Sequence, residues 1–313
     1  MPIRVFVAAD VGSTLLTALE RDSRFDLVYY PVRSTDELVS MIGDSEVLVT
    51  RHHNRVSAAV FESALALRLV AQGTSGLDNI DMEQARLRNV MVAGLPGENA
   101  NAVAELVVAH MISLTRGVPD YNEMVRDGRW ERDACVQRRE LRSHQLGIVG
   151  LGRVGSRVSH LAGLFGMSVL SYDPYLTEEN FSERGAERAA TLDELLSRIQ
   201  ILTLHVPLTE ETQGMLGRRE LARLGPGTYV INASRGLIID QQALFEMLNQ
   251  GLLGGAALDV FETEPPEKEQ WPSRDRLILT PHIAGCSRES KESIGHALYH
   301  TICGFLNIEP HGS

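Results

Sequence analysis

Short apolar runs recur along the first hundred residues, at 4–8, 27–30, 47–50, 68–72 and 90–93. Between them stand amphipathic stretches at 35–42, 58–65 and 82–88, where apolar residues return every three or four positions. Apolar runs alternating with helical periodicity predict a parallel sheet covered by helices on both faces. From 99 to about 116 the pattern changes, and Val103, Leu106, Val107, Met111 and Leu114 mark one face of a single long helix. A second helical piece near 120–126 ends at Gly128, ahead of Trp130. The alternation then resumes, with strands expected at 145–149, 168–172, 201–206, 228–232, 256–260 and 277–280 and a closing helix over 287–305. The Pro- and Glu-rich stretch 262–272 reads as an irregular surface loop, and no internal repeat is present. The fold class is α/β, with two doubly wound parallel sheets.

Composition narrows the possible partners. At 313 residues the chain is long enough for two domains, each with its own core. Hydrophobic residues at 43% and charged residues at 23% are those of a folded globular protein. A net charge of −11 leaves no basic excess to neutralise phosphates, which argues against nucleic acid or an anionic membrane as partner. A small anion stays possible, since a few Arg side chains and converging backbone N–H groups suffice to hold one. Cys135, Cys286 and Cys303 form neither a Cys-x-x-Cys pair nor a disulfide framework, which predicts a reducing cytoplasm. Residues 1–10 lack the apolar length of a signal peptide, and the apolar helix at 99–115 carries Glu105 and His110 and is short for a bilayer. A soluble, cytoplasmic protein is expected.

Gly147-Ile-Val-Gly150-Leu-Gly152-Arg-Val-Gly155 sets Gly-x-Gly-x-x-Gly between a strand and a helical pattern. In that context the first glycine permits a tight turn and the second lets backbone approach a pyrophosphate. The third lets helix pack on strand, with the helix N-terminus facing the anion. Asp173 falls at the end of the next strand, where a carboxylate accepts bonds from ribose hydroxyls and repels a 2′-phosphate. The cofactor expected is therefore NAD rather than NADP. A plain glycine-rich turn, and a turn-forming Asp before Pro174, would be written with the same letters.

Three later strand ends carry ionisable residues suited to hydride transfer: Arg235 in Asn232-Ala-Ser-Arg-Gly236, Glu264 in Leu258-Asp-Val-Phe-Glu-Thr-Glu-Pro-Pro266, and His282 in Pro281-His-Ile-Ala-Gly285. Carboxyl ends of parallel strands are where α/β folds bind ligands, so the three could share one crevice. Reduction of a 2-oxo acid puts negative charge on the C2 oxygen. A histidine can protonate that oxygen or take its proton back. A carboxylate can orient the ring, and an Arg fork can bind carboxylate and carbonyl oxygens. Singly, each could be an ordinary loop or surface residue; together, and downstream of the glycine turn, they point to chemistry.

With these pieces the chain resembles the D-isomer-specific 2-hydroxyacid dehydrogenase family, and leans to its phosphoglycerate-dehydrogenase-like branch. The matching segments include Gly73-Thr-Ser-Gly-Leu-Asp-Asn-Ile-Asp81, Pro96-Gly-Glu-Asn-Ala-Asn-Ala-Val-Ala-Glu105, Leu204-His-Val-Pro-Leu208 and the glycine and catalytic motifs, in order over nearly the whole chain. The resemblance implies a flavodoxin-like substrate domain at 1–98, completed by 285–313, a Rossmann cofactor domain at 99–284, and an active site in the cleft between them. It implies that Arg235 binds substrate, His282 is the acid/base and Glu264 its partner. Amides of Thr74, Ser75 and Gly76 would hold the substrate carboxylate, with Asn99 nearby. Gly150, Gly152, Arg153, Val154, Gly155, Asp173, His205, Pro207, Thr212, Ala233, Asp259, His282 and Gly285 would line the cofactor, Asp259 at the nicotinamide carboxamide.

The implied activity is reversible NAD-dependent oxidation of the CH–OH of a small 2-hydroxy acid, with 3-phosphoglycerate or hydroxypyruvate/glyoxylate as substrates. The 99–130 region implies a homodimer. An NAD-sensing protein-interaction module of the corepressor kind is the alternative from another class. Arg51, His52 and His53 form a loop that either contacts the distal end of the substrate or is simply solvated. Cys286 reads as packing at a helix start, and His110, His160, His296 and His300 as ordinary helix residues. No metal site is expected.

Overall fold

The computed structural model describes residues 1–267, 271–272 and 277–310. The chain divides into two compact units, Met1–Asn99 with Cys286–Ser313, and Ala100–Gly285.

In the first unit, β1 (Ile3–Val7), α1 (Ser13–Arg21), β2 (Phe25–Tyr29), α2 (Thr35–Met41), β3 (Val47–Thr50), α3 (Ala58–Ser63), β4 (Leu69–Gln72), α4 (Met82–Leu87) and β5 (Met91–Gly94) alternate. The strands pair in the order β2-β1-β3-β4-β5, all parallel, which is the flavodoxin-like winding. Every residue of β3 and β4 is buried, which is why their sequences stay apolar up to the terminal Thr50 and Gln72 instead of alternating. Leu15 and Leu19 of α1 pack on one face together with Ile294, Leu298 and Ile302 of the C-terminal helix, Arg288–Leu306. Leu38, Val60, Phe61 and Ala85 cover the other face. Ser34, Asp81 and Ser287 start their helices by accepting bonds from the amides of Glu37, Gln84 and Ser290.

A buried charge pins the returning helix. Asp22, 1% exposed, accepts from Arg24 Nε at 2.8 Å and Nη2 at 2.6 Å, and from the Tyr299 hydroxyl at 2.9 Å. The Arg24 guanidinium holds the Asp22 carboxyl down at about 2.

The second unit opens with α5 (Ala100–Arg116) and α6 (Val118–Arg126). It continues with β6 (Gln145–Val149), α7 (Arg153–Leu164), β7 (Ser168–Tyr172), α8 (Glu178–Glu183), β8 (Glu187–Arg188), α9 (Leu192–Arg198) and β9 (Ile201–Leu204). Then come α10 (Arg218–Leu221), β10 (Tyr229–Asn232), α11 (Gln241–Asn249), β11 (Gly255–Leu258) and β12 (Leu277–Leu279). The parallel order is β12-β11-β10-β9-β6-β7-β8. The winding reverses between β6 and β9, and beyond the carboxyl ends of those strands lies the crevice of a Rossmann sheet. The loop expected at 262–272 is irregular over 262–267, while 268–270 lie outside the described residues. Among the described residues no helix is long and apolar enough to cross a membrane, and no His/Cys/Asp/Glu group is placed to hold a metal.

Asp22 is the group whose titration should be visible in stability. Its folded value lies below its ordinary one of 3.8, so its contribution is complete above about pH 4 and is lost as pH falls toward 2. Asp22→Asn should cost about 2 kcal/mol at neutral pH, with the gap from wild type narrowing below about pH 4 in urea unfolding. A gap that stays constant into acid would contradict this role.

Candidate active site

At the end of β6 the backbone turns through Gly150, whose φ is +86° and whose would-be side chain meets Val206 at 2.6 Å and the His205 carbonyl at 2.7 Å. A Cβ on Gly155 would lie 2.1 Å from the Gly150 carbonyl oxygen, so α7 can approach the turn this closely only with glycine there. Gly152 is different: nothing lies within 4 Å of where its Cβ would be, and as N-cap of α7 it offers no side chain to the first amides. Open space before an uncapped helix N-terminus, with Arg153 exposed and Val154 half-buried on its first turn, fits a pyrophosphate.

The flanking strands supply the rest of the crevice. Asp173, just past β7, accepts from Leu151 N at 3.0 Å through Oδ2 and from Tyr175 N at 3.1 Å through Oδ1. These bonds orient the carboxylate and leave each oxygen a second lone pair for a ribose hydroxyl. Past β9, His205 N donates to Val149 O at 2.8 Å, and its Nε2 lies 3.0 Å from Thr203 Oγ1. Burial pushes His205 down to about 3, so the ring is neutral at physiological pH. Thr212 Oγ1 donates to Pro207 O at 2.6 Å and shapes that loop. The donor set suits a dinucleotide without a 2′-phosphate.

Further strand ends hold the ionisable trio. Asn232 closes β10 and folds the next turn: its Oδ1 accepts from Ser234 N at 3.1 Å and its Nδ2 donates to Arg235 O at 2.9 Å. Ala233 in this turn is half-buried. Gly236 then runs so close to the segment after β11 that a Cβ would sit 1.9 Å from the Phe261 carbonyl carbon. The turn carrying Arg235 is thereby pressed against the segment leading to Glu264. Arg235 is half-buried and donates through Nη1 to Ser234 O at 2.8 Å.

Asp259, wholly buried, organises the 280–284 loop. Its carboxylate accepts from Thr280 Oγ1 at 2.6 Å, Ile283 N at 2.9 Å and Ala284 N at 2.8 Å, and its carbonyl accepts from His282 N at 2.8 Å. These bonds hold His282 at φ +51°, a conformation that costs a non-glycine residue on the order of 1 kcal/mol. His282 Nδ1 lies 2.7 Å from Glu264 Oε2, and Glu264 Oε1 accepts from Phe261 N at 3.2 Å. The two side chains are 25% and 36% exposed, so the pair is reachable from solvent. Gly285, half-buried, ends the segment. Asp259 is expected from sequence at the nicotinamide carboxamide. In the structure it is buried with three protein donors and anchors the histidine loop.

The first unit carries the loop expected from sequence to hold the substrate carboxylate. Gly73 N donates to Thr50 O at 2.8 Å, and the carbonyls of Thr74 and Gly76 are taken by Leu95 N at 3.0 Å and Gln72 Nε2 at 3.2 Å. Among the described residues no protein acceptor takes the amides of Thr74, Ser75 or Gly76. Successive unclaimed N–H groups form a nest for a carboxylate. Asn99 is half-buried at the end of this unit. Arg51 is nearly buried, donating to Asp10 O at 3.3 Å, while His52 and His53 pair edge to face. Cys286 is exposed, not packed as its position suggests, with Arg51 Nη2 4.0 Å from its sulfur. Sequence reading missed Thr280, although its place before Pro281-His282 and opposite Asp259 was a usable signal. His110, expected as an ordinary helix residue, stands within α5. His110 is buried with Nε2 unpartnered, and burial pushes its pKa down against the pull of Asp259.

The profile of the family described as D-isomer specific 2-hydroxyacid dehydrogenase, NAD binding domain, matches residues 108–284. The chain is 37% identical over 307 residues to D-3-phosphoglycerate dehydrogenase of Bacillus subtilis, covering 98% of this chain and 58% of that protein. It is 34% identical over 276 residues to hydroxypyruvate reductase of Thermotoga maritima, covering 87% and 89%. Among solved structures, D-lactate dehydrogenase of Aquifex aeolicus, complexed with NAD and lactic acid, superposes with a TM-score of 0.86 at 26% identity, covering 97% of this chain and 95% of that one. The chain spans about half the length of the phosphoglycerate dehydrogenases it matches.

Two glycine substitutions separate the fold of the turn from its cargo. Gly155→Ala should destabilise by several kcal/mol or prevent folding, because its Cβ has no room. Gly152→Ala should keep stability within about 1 kcal/mol of wild type while weakening NADH binding at least about tenfold, read by titration calorimetry. Undiminished NADH affinity in Gly152→Ala would remove the pyrophosphate from this turn.

Proposed function

The chain belongs to the D-isomer-specific 2-hydroxyacid dehydrogenase family, and on that premise we propose that it is an NAD-dependent D-2-hydroxyacid dehydrogenase. The observation that carries the reading is the His282–Glu264 pair, 2.7 Å apart, on a loop built around buried Asp259. NAD, when bound, supplies the hydride acceptor and donor. With Nδ1 of His282 held by Glu264, the ring presents Nε2 to the C2 oxygen, taking the proton in oxidation and returning it in reduction. Arg235 binds the substrate through its planar fork and polarises the carbonyl. The nest at Thr74, Ser75 and Gly76, with Asn99, receives the carboxylate.

The substrates proposed are 3-phosphoglycerate and hydroxypyruvate or glyoxylate, in line with the activities for which relatives are named. A cytoplasmic site of action accords with three free cysteines. We also propose a homodimer. α6 buries none of its residues within the chain, and Val118, Val125 and Trp130 are half or more exposed, a face a second copy would cover. Sedimentation at micromolar concentration should give twice the mass of one chain; a monomer at all concentrations would refute this.

A panel of D- and L-2-hydroxy acids followed at 340 nm should show turnover of a D-acid with NAD. His282→Ala should lower turnover by about 10²- to 10⁴-fold with little change in NADH affinity. Activity like wild type in that variant would remove His282 from the acid/base role. Tight NADH binding without turnover of any acid would favour a protein-interaction module.

A further inference from the structure

We propose that Tyr175 and Glu211 form a clasp across the adenosine half of the cofactor crevice and govern how fast the dinucleotide leaves. The placement follows from the sheet. β6 lies between β7 and β9, and its carboxyl end opens into the glycine turn. Both neighbours are stitched to that end, Gly150 N to Tyr172 O at 2.9 Å and His205 N to Val149 O at 2.8 Å. Tyr175 stands just past β7 and Glu211 on the loop past β9, so they occupy opposite lips of the turn. Their side chains meet, the Tyr175 hydroxyl donating to Glu211 Oε2 at 2.5 Å.

Each lip is also tied to the crevice. Tyr175 N bonds Asp173, whose other oxygen takes the Leu151 amide of the glycine turn. On the opposite lip Thr212, next to Glu211, donates to Pro207 O. The ring of bonds thus runs from the pyrophosphate turn through the proposed ribose ligand to the loop of Pro207 and Thr212, which the family resemblance sets along the adenosine side. The Glu211 carboxylate raises the Tyr175 hydroxyl above its usual range, in keeping with the hydroxyl as donor. Tyr175 is 78% exposed, and one surface hydrogen bond between residues so far apart in sequence adds little to the fold. A groove that must admit an adenosine and then retain it gives the pair a use.

This inference rests on the NAD reading, and the test separates the two. Tyr175→Phe and Glu211→Ala, alone and together, are made in the full chain, and NADH release is followed by stopped-flow fluorescence with NAD as chase. Each single substitution should speed release about two- to ten-fold, the yield of one lost hydrogen bond. The double variant should release no faster than the faster single one, because both remove the same bond. Unchanged release, slower release, or effects that add in the double variant would overturn the clasp while leaving the cofactor in place. A wild-type chain that fails to bind NADH would overturn both.

Discussion

Asp259 sits at the end of β11 with its carboxylate wholly buried and three donors aimed at it. A charge removed from water this completely is tolerable only when such donors replace the lost hydration. The donors come from Thr280, Ile283 and Ala284, so satisfying the charge winds the chain tightly on both sides of His282. The left-handed backbone of His282 is a consequence of that winding. The meeting of His282 with Glu264 depends on it as well, since Glu264 is itself fixed by the Phe261 amide two residues beyond Asp259. The proposed acid–base pair is therefore positioned from behind, by a residue that need not touch the substrate.

The cofactor side rests on space instead of charge. Gly150 and Gly155 let β6, the turn and α7 come within distances no other residue allows, while Gly152 leaves the helix N-terminus open. Asp173 and the neutral His205 stand on either side of that opening. Because the sheet reverses its winding here, segments from β7 and β9 part around the turn, and the Tyr175–Glu211 bond rejoins them.

The architecture was legible in the sequence wherever short β-rich runs alternate with helical periodicity. The strands at Val47–Thr50, Gln145–Val149 and Ser168–Tyr172 have the bounds that periodicity assigns them. β8 left no such trace, because Glu187 and Arg188 are exposed and charged. The residue types at Arg235, Glu264 and His282 could be read because each follows a strand end. The pairing of Glu264 with His282 came only with the family resemblance, since its geometry depends on the hydrogen bonds of Asp259 and on a positive φ. Tyr175 and Glu211 were silent for a related reason: one hydrogen bond between two loops imposes no periodicity on either.

The central claim is that hydride passes directly between C2 of a D-2-hydroxy acid and the nicotinamide ring. Supplying the best-oxidised D-2-hydroxy acid with deuterium at C2 tests it most directly, with the NADH formed analysed by mass spectrometry. Each NADH produced should carry one deuterium. Label lost to water, or no labelled acid oxidised at all, would contradict it.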